Sequence, residues 1–242
     1  MIIDFHAHVG MGHHKRLSAP QLIRLMDANS VDRAVLCPVD KYITAYNRAG
    51  NDLLVRTIRT YGDRFQGMAV ANPWFGKRAC NELRRALDAG LSGLKIHSPL
   101  QGFMLCDSIV YPLLEIAKEY NVPVYAHTGT MDNALPFQLL ELARRYPELQ
   151  FVMGHAAFSD FWMDVVPVLK QAQNIMVETS HASPDFIESI IREIGPSRVL
   201  FGSDVPESEY RLEINKLKMF PMKTCETDAV FSGNAMRLCP AR

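Results

Sequence analysis

The 242-residue chain has no cysteine pair of the CxxC kind. Its five cysteines, Cys37, Cys80, Cys106, Cys225 and Cys239, are odd in number and widely spaced. That pattern argues against a zinc knuckle or a disulfide frame and predicts reduced thiols. Charge of one sign is missing as well, because 26 Lys+Arg balance 26 Asp+Glu. Neither nucleic acid nor an anionic membrane is therefore expected as a partner. No apolar run approaches the roughly 18 residues of a membrane helix. The N-terminus lacks a basic region followed by a long apolar stretch, so a cytoplasmic protein is the expectation. Linkers, low-complexity segments and clear repeats are also absent. With 48% hydrophobic residues, the chain reads as one globular domain over residues 1–242 with a sizeable core.

What is present is an alternation. Apolar strand-like runs at residues 2–5, 33–37, 66–71, 93–96, 123–126, 150–153, 174–178 and 198–201 are separated by amphipathic helical patterns. Ser18-Ala19-Pro20-Gln21 has the form of a capping box. Residues 79–89 carry Leu83, Ala86 and Leu87 and end at Gly90. Ser183-Pro184 opens a helix whose buried face is Phe186, Ile187, Ile190, Ile191 and Ile194. Eight strands alternating with helices predict a parallel sheet, and their count and the chain length favour a closed (β/α)8 TIM-type barrel over an open doubly wound sheet.

In such a barrel all strand C-termini converge on one mouth. Read in order, those ends carry His6 and His8, Lys95 and His97, His127, His155, and Asp204. Side chains two apart on a strand share a face, so His6 and His8 can reach one cation, at about 2.0–2.1 Å each if it is zinc. Imidazoles and a carboxylate suit Zn, Mn, Fe or Co alike, and such an ion brings the pKa of a bound water towards about 7. Asp4 shares parity with His6 and His8, and either orients them from one layer deeper or is a buried carboxylate on backbone amides. Asp204 also has a competing role as a helix N-cap ahead of Pro206. His13 and His14, followed by Lys15-Arg16, read as a solvated loop that overhangs the mouth. His97, His181 and Trp74 are candidates for substrate contact; Trp74 can equally pack against a helix.

These motifs carry a resemblance. Asp4-Phe5-His6-Ala7-His8 resembles the opening motif of the amidohydrolase superfamily. Gly93-Leu94-Lys95-Ile96-His97, Ala126-His127-Thr128-Gly129, Gly154-His155 and Phe201-Gly202-Ser203-Asp204 resemble its later strand-end motifs, in order. Gly233-Asn234-Ala235-Met236-Arg237-Leu238 is similar to the C-terminal signature of the amidohydrolase-2 branch, which also holds decarboxylases of the aminocarboxymuconate-semialdehyde type. The resemblance implies a metal-dependent enzyme in which His6, His8, His127 and Asp204 hold one divalent metal, most simply zinc. It implies that Asp204 doubles as the base and that His155 sits beside the activated water or the substrate oxygen. Lys95 stays open among a substrate-carboxylate site, a carboxylated bridge between two metals, and a structural ion pair.

The expected activity is hydrolysis of a small amide, ester or lactone. Nonoxidative decarboxylation of an unsaturated or aromatic acid is the alternative, and a non-catalytic metal-binding barrel is the third reading. Hydrolysis leads because the chain is short for the decarboxylase subgroup and lacks room for long inserts. A small-molecule substrate and a homodimer complete the expectation.

Overall fold

The computed structural model describes residues 1–13, 15–158 and 160–240. His14 lies outside them. One curled sheet holds β1 (Ile3–Met11), β2 (Arg16–Leu17), β3 (Arg33–Pro38), β4 (Phe65–Val70), β5 (Gly93–Ile96), β6 (Val124–His127), β7 (Phe151–Gly154), β8 (Ile175–Glu178) and β9 (Val199–Leu200). All but β2 run parallel and pair with the next strand in sequence around the curl. The ring is completed by single hydrogen bonds between β1 and the chain leaving β9. Phe5 N donates to Phe201 O (2.9 Å), Asp204 N to His6 O (2.7 Å) and His8 N to Val205 O (2.8 Å). This is the expected barrel, and its closing seam lies at the future site.

Two features differ from the sequence expectation. β1 runs on to Met11, well beyond residue 5, and folds back antiparallel on β2 at Gly10–Leu17 and Met11–Arg16. Its pairing with β3 also shifts register between Asp4 and Ala7, a bulge that re-aims side chains at a barrel rim. Alternation then sorts the core. Phe5, Val35, Cys37, Met68, Tyr125, Val152, Met176 and Leu200 pack together in one buried cluster. Their neighbours Leu36, Ala69, Leu94, Met153 and Val177 belong to the larger cluster shared with the helices. Burying each large side chain contributes about 1.5–3 kcal/mol.

The helices form where their caps and faces predict. Ala19–Ala28 begins with a complete Ser18/Gln21 capping box. Lys77–Asp88 buries Ala79, Leu83, Ala86 and Leu87, and Pro184–Ile194 buries Phe186, Ile187 and Ile190. Asn234 anchors the C-terminal segment by donating from Nδ2 to Pro196 O and Val199 O, both at 2.7 Å. Among the described residues no helix is long and apolar enough to cross a membrane.

Candidate metal centre

The strand ends bring His6, His8, Lys95, His97, His127, His155 and Asp204 to one cavity of about 50 Å³, which Lys15, Asp40, Ile43 and Leu100 also line. His6 and His8 leave β1 with ring centroids 4.8 Å apart. Asp204, with φ 55°, turns its carboxylate back onto β1, so that Oδ1 lies 3.0 Å from His8 Nε2 and 3.8 Å from His6 Nδ1. On its other side Oδ2 meets His181 Nε2 at 3.0 Å.

The His8–Asp204 contact tests the fit to a cation. His8 Nδ1 lies 3.1 Å from Pro38 O, a carbonyl that can only accept. The proton of a neutral His8 therefore sits on Nδ1, and Nε2 keeps its lone pair. Burial drives the His8 pKa down and so favours the neutral ring. Asp204 Oδ1, which faces that lone pair, is buried and accepts no hydrogen bond. Two lone-pair atoms in contact repel until a cation stands between them, and buried polar groups without partners are rare. Among the described residues, His6, His8 and Asp204 form one group whose ligand atoms lie close enough for one ion; His6, His155 and Glu178 form a second, and His155, His181 and Asp204 a third. The donor set of imidazoles with a carboxylate fits a divalent metal.

His127 belongs to none of these groups. Its ring stacks on His97 at 3.9 Å, Nδ1 meets His155 Nε2 at 3.0 Å, and Nε2 meets Thr130 Oγ1 at 3.0 Å. His155 packs its ring on Phe158 at 4.5 Å and places Nδ1 2.8 Å from Ser180 Oγ. His97 accepts from Leu100 N at Nδ1 (3.3 Å) and so caps the turn Ser98–Gln101. Lys95 is fully buried, with Nζ 3.0 Å from His6 Nε2 and 3.8 Å from the centroid of the Tyr125 ring. Trp74 is not brought into the cavity. It is 61% exposed in the short turn Pro73–Phe75, where the Asn72 side chain caps its amide and its own Nε1 donates to Gly102 O. The cavity that gathers the imidazoles is thus formed without Trp74. The hairpin β1–β2 changes the reading of its loop as well, because Lys15 Nζ comes to 3.9 Å from Asp204 Oδ1 and 3.2 Å from Glu207.

Electrostatics divide the site. Burial lowers the pKa values of His6, His97 and His155 well below the imidazole range, and that of His127 to about 3, with nearby Lys95 adding to the effect at each. Burial likewise lowers Lys95 to about 8. His181 moves the other way, because its hydrogen bond to Asp204 favours the cation. Burial pushes Asp204 upward, and the rings of His6, His181 and His8 oppose it with a net direction downward; with His6 and His8 neutral, His181 is the ring that brings a proton to the carboxylate, at Oδ2.

The residues beneath the site include several that sequence reasoning passed over. Glu178, at the end of β8, accepts from Tyr125 OH at 2.6 Å and from Ser180 Oγ at 2.9 Å. It meets the same strand-end criterion as His97 and His155, and Tyr125 shares the parity of His127 on β6. Asp4 accepts from His6 N (3.0 Å), Ser203 N (2.9 Å), Ser203 Oγ (2.6 Å) and Tyr210 OH (2.9 Å). It combines both roles open to it: a buried carboxylate on backbone amides that also ties His6 to the residue before Asp204. Burial raises its pKa to about 7.

A curled parallel sheet with imidazoles and a carboxylate gathered at its strand ends is the architecture of a metal-dependent barrel enzyme. The chain belongs to the amidohydrolase family, whose model matches residues 3–240. Among solved structures it is similar to the 5-carboxyvanillate decarboxylase LigW from Sphingomonas paucimobilis (20% identity, 91% of this chain and 82% of that one, TM-score 0.76). It is similar to a 2,6-dihydroxybenzoate decarboxylase from Rhizobium (17% identity, 98% of each chain, TM-score 0.78). It also resembles a dihydroxybenzoic acid decarboxylase from Polaromonas sp. JS666 with bound manganese and 2-nitroresorcinol (16% identity, 98% of this chain and 96% of that one, TM-score 0.77). No curated protein matches the chain in sequence.

These neighbours overturn the expectation of amide, ester or lactone hydrolysis, since the activities they name are mostly decarboxylations. The length argument behind that expectation falls too. This chain spans 98% of the Rhizobium decarboxylase, so the room for a decarboxylase framework is present. Manganese in a neighbour likewise supports a divalent metal without singling out zinc.

Proposed function

We propose that the protein is a divalent-metal-dependent, nonoxidative decarboxylase of a small carboxylated aromatic or unsaturated acid. The observation that carries this reading is Lys95, a buried ammonium in the same cavity as the His6, His8 and Asp204 cluster. A carboxylate carries its charge in the ground state and gains a charge-assisted hydrogen bond from such an ammonium on binding, which the neutral carbonyl of an amide, ester or lactone does not. The decarboxylase names among the structural neighbours support the same direction.

His6, His8 and Asp204, with His127 as the further ligand that the family resemblance implies, would hold the metal. When bound, it supplies a Lewis-acid anchor for substrate oxygens. Lys95 binds the carboxylate and orients it. In the reaction the bond from ring or vinyl carbon to the carboxylate breaks, CO₂ leaves, and the electron pair stays on carbon, which then takes one proton. The hydrogen bond between His181 Nε2 and Asp204 Oδ2 holds a proton at the edge of the cavity and is the proposed source. His155, neutral, buried and stacked on Phe158, stands beside the reacting group.

The test is direct. Enzyme loaded with Mn²⁺ or Zn²⁺ is offered a panel of hydroxylated benzoates and unsaturated acids in D₂O. The expected result is CO₂ release with one deuterium at the vacated carbon. Turnover of amides or lactones from a parallel panel, with no CO₂ from any acid, would overturn the reading.

A further inference from the structure

Glu178 is fully buried, and four donors converge on it. Oε2 accepts from Tyr125 OH (2.6 Å), Ser180 Oγ (2.9 Å) and His155 N (3.2 Å), and Oε1 accepts from Ser180 N. The hydroxyl protons of Tyr125 and Ser180 are thereby committed to the carboxylate. Each hydroxyl oxygen is then an acceptor towards its other neighbour. For Tyr125 that neighbour is His6 Nδ1 at 2.9 Å; for Ser180 it is His155 Nδ1 at 2.8 Å. Both imidazoles must donate from Nδ1 and keep the lone pair on Nε2. The pattern runs one step further, since His155 Nε2 faces His127 Nδ1 at 3.0 Å and can only accept. His127 then carries its proton on Nδ1 and keeps a lone pair on Nε2, where the Thr130 hydroxyl donates at 3.0 Å.

We propose that Glu178 is a positioning residue that sets the proton pattern of the site. Through Tyr125 it fixes His6, and through Ser180 it fixes His155 and, by way of His155, His127, each with the proton on Nδ1 and the lone pair on Nε2. One carboxylate thus makes three ring nitrogens acceptors, His6 Nε2 towards Lys95, His155 Nε2 towards His127 and His127 Nε2 towards Thr130, with the lone pair an imidazole needs to bind a cation. The backbone makes room for this arrangement at two glycines. A Cβ at Gly154 would collide with the Tyr125 phenol, and one at Gly202 with the Glu178 carboxylate. The inference concerns tautomers of the protein itself and stands whether or not the substrate is a carboxylic acid.

Imidazole ¹⁵N NMR of the metal-free, full-length protein tests it, with Mn²⁺ affinity as a second readout. The wild type should show Nδ1–H at His6, His155 and His127. Tyr125→Phe combined with Lys95→Met, which removes the ammonium that also donates to His6 Nε2, should lose that preference at His6 alone, and Ser180→Ala at His155 and His127 alone. Glu178→Gln, whose amide turns a donor towards one set of partners, should disturb both arms and weaken Mn²⁺ binding by about 10–100-fold, the usual effect of losing an outer partner of a ligand. If Glu178→Gln does not fold, the two single-arm variants decide the matter. Unchanged tautomers in both, or the same change in both arms from either variant, would overturn the proposal.

Discussion

The two sides of the metal centre are built differently. On one side β1 offers His6 and His8 from extended backbone, two residues apart on one strand beside its register shift between Asp4 and Ala7. On the other, the chain ends beyond β7, β8 and β9 offer His155, His181 and Asp204 from left-handed backbone, with φ of 63°, 62° and 55°. Four consecutive non-glycine residues, His155, Ala156, Ala157 and Phe158, share positive φ between 44° and 63°. Such conformations cost of order 1–3 kcal/mol each and persist only where the surroundings over-determine them. Here the surroundings are identifiable: Glu178 accepts from His155 N, Glu213 from His181 N, and His6 O from Asp204 N. A regular strand positions ligands at little conformational cost. An irregular turn re-aims them across the cavity and needs a hydrogen-bonded floor to hold it.

The largest effect is expected on the regular side. His8→Ala removes the lone pair that faces Asp204 Oδ1 and leaves the backbone of β1 unchanged. Metal affinity should fall by more than the ~100-fold upper end seen for outer partners of a ligand, and activity should fall with it, while the metal-free protein melts near the wild-type temperature. Metal titration and differential scanning calorimetry check both halves. Retained stoichiometric metal would mean that His8 is not a ligand.

Lys95 gives the next effect. Lys95→Met should raise KM for a carboxylate substrate by about 10–100-fold, the equivalent of one charge-assisted hydrogen bond of about 1.5–3 kcal/mol, with a smaller change in kcat. The pH dependence has a definite sign. Burial lowers the Lys95 pKa to about 8, so the ammonium is present below that pH and lost above it. Affinity for the carboxylate should therefore decline as pH rises through about 8, and Lys95→Met should remove that limb of the kcat/KM profile. A limb that persists in the variant assigns it to another group.

The same contrast explains what was legible in the sequence. Strand existence follows from apolar runs bounded by turns, and all eight parallel strands lie where those runs predict. His6 and His8 follow from parity, and the convergence of distant residues follows from barrel closure. The orientation of His155, His181 and Asp204 does not, because each lies where alternation has ended and the φ sign depends on tertiary hydrogen bonds. Glu178 was visible as an acid ending a strand, yet its importance comes from contacts with Tyr125, on another strand, and with Ser180, beyond its own. Trp74 follows a strand end in sequence, yet it lies in a turn capped by Asn72 and does not line the cavity.

The smallest effect isolates the strain itself. Ala7 and Ala156 are both fully buried, but Ala7 lies in β1 and Ala156 in the left-handed turn with φ 44° and ψ 37°. Replacing either by glycine removes one buried methyl, about 0.8 kcal/mol, and adds about 0.5–1 kcal/mol of unfolded-state entropy. At Ala7 these losses stand alone, so the metal-free variant should be less stable by about 1.5 kcal/mol, a drop in Tm of about 3–6 °C for a chain of this size. At Ala156 the left-handed penalty of about 1–2 kcal/mol for a residue with a Cβ is relieved, which offsets the losses and should leave Tm within about 2 °C of wild type. The difference between the two variants is thus a measure of the strain carried by the His155 side. Equal losses at both positions would show that the left-handed turn stores none, and that the two sides of the centre differ in shape alone.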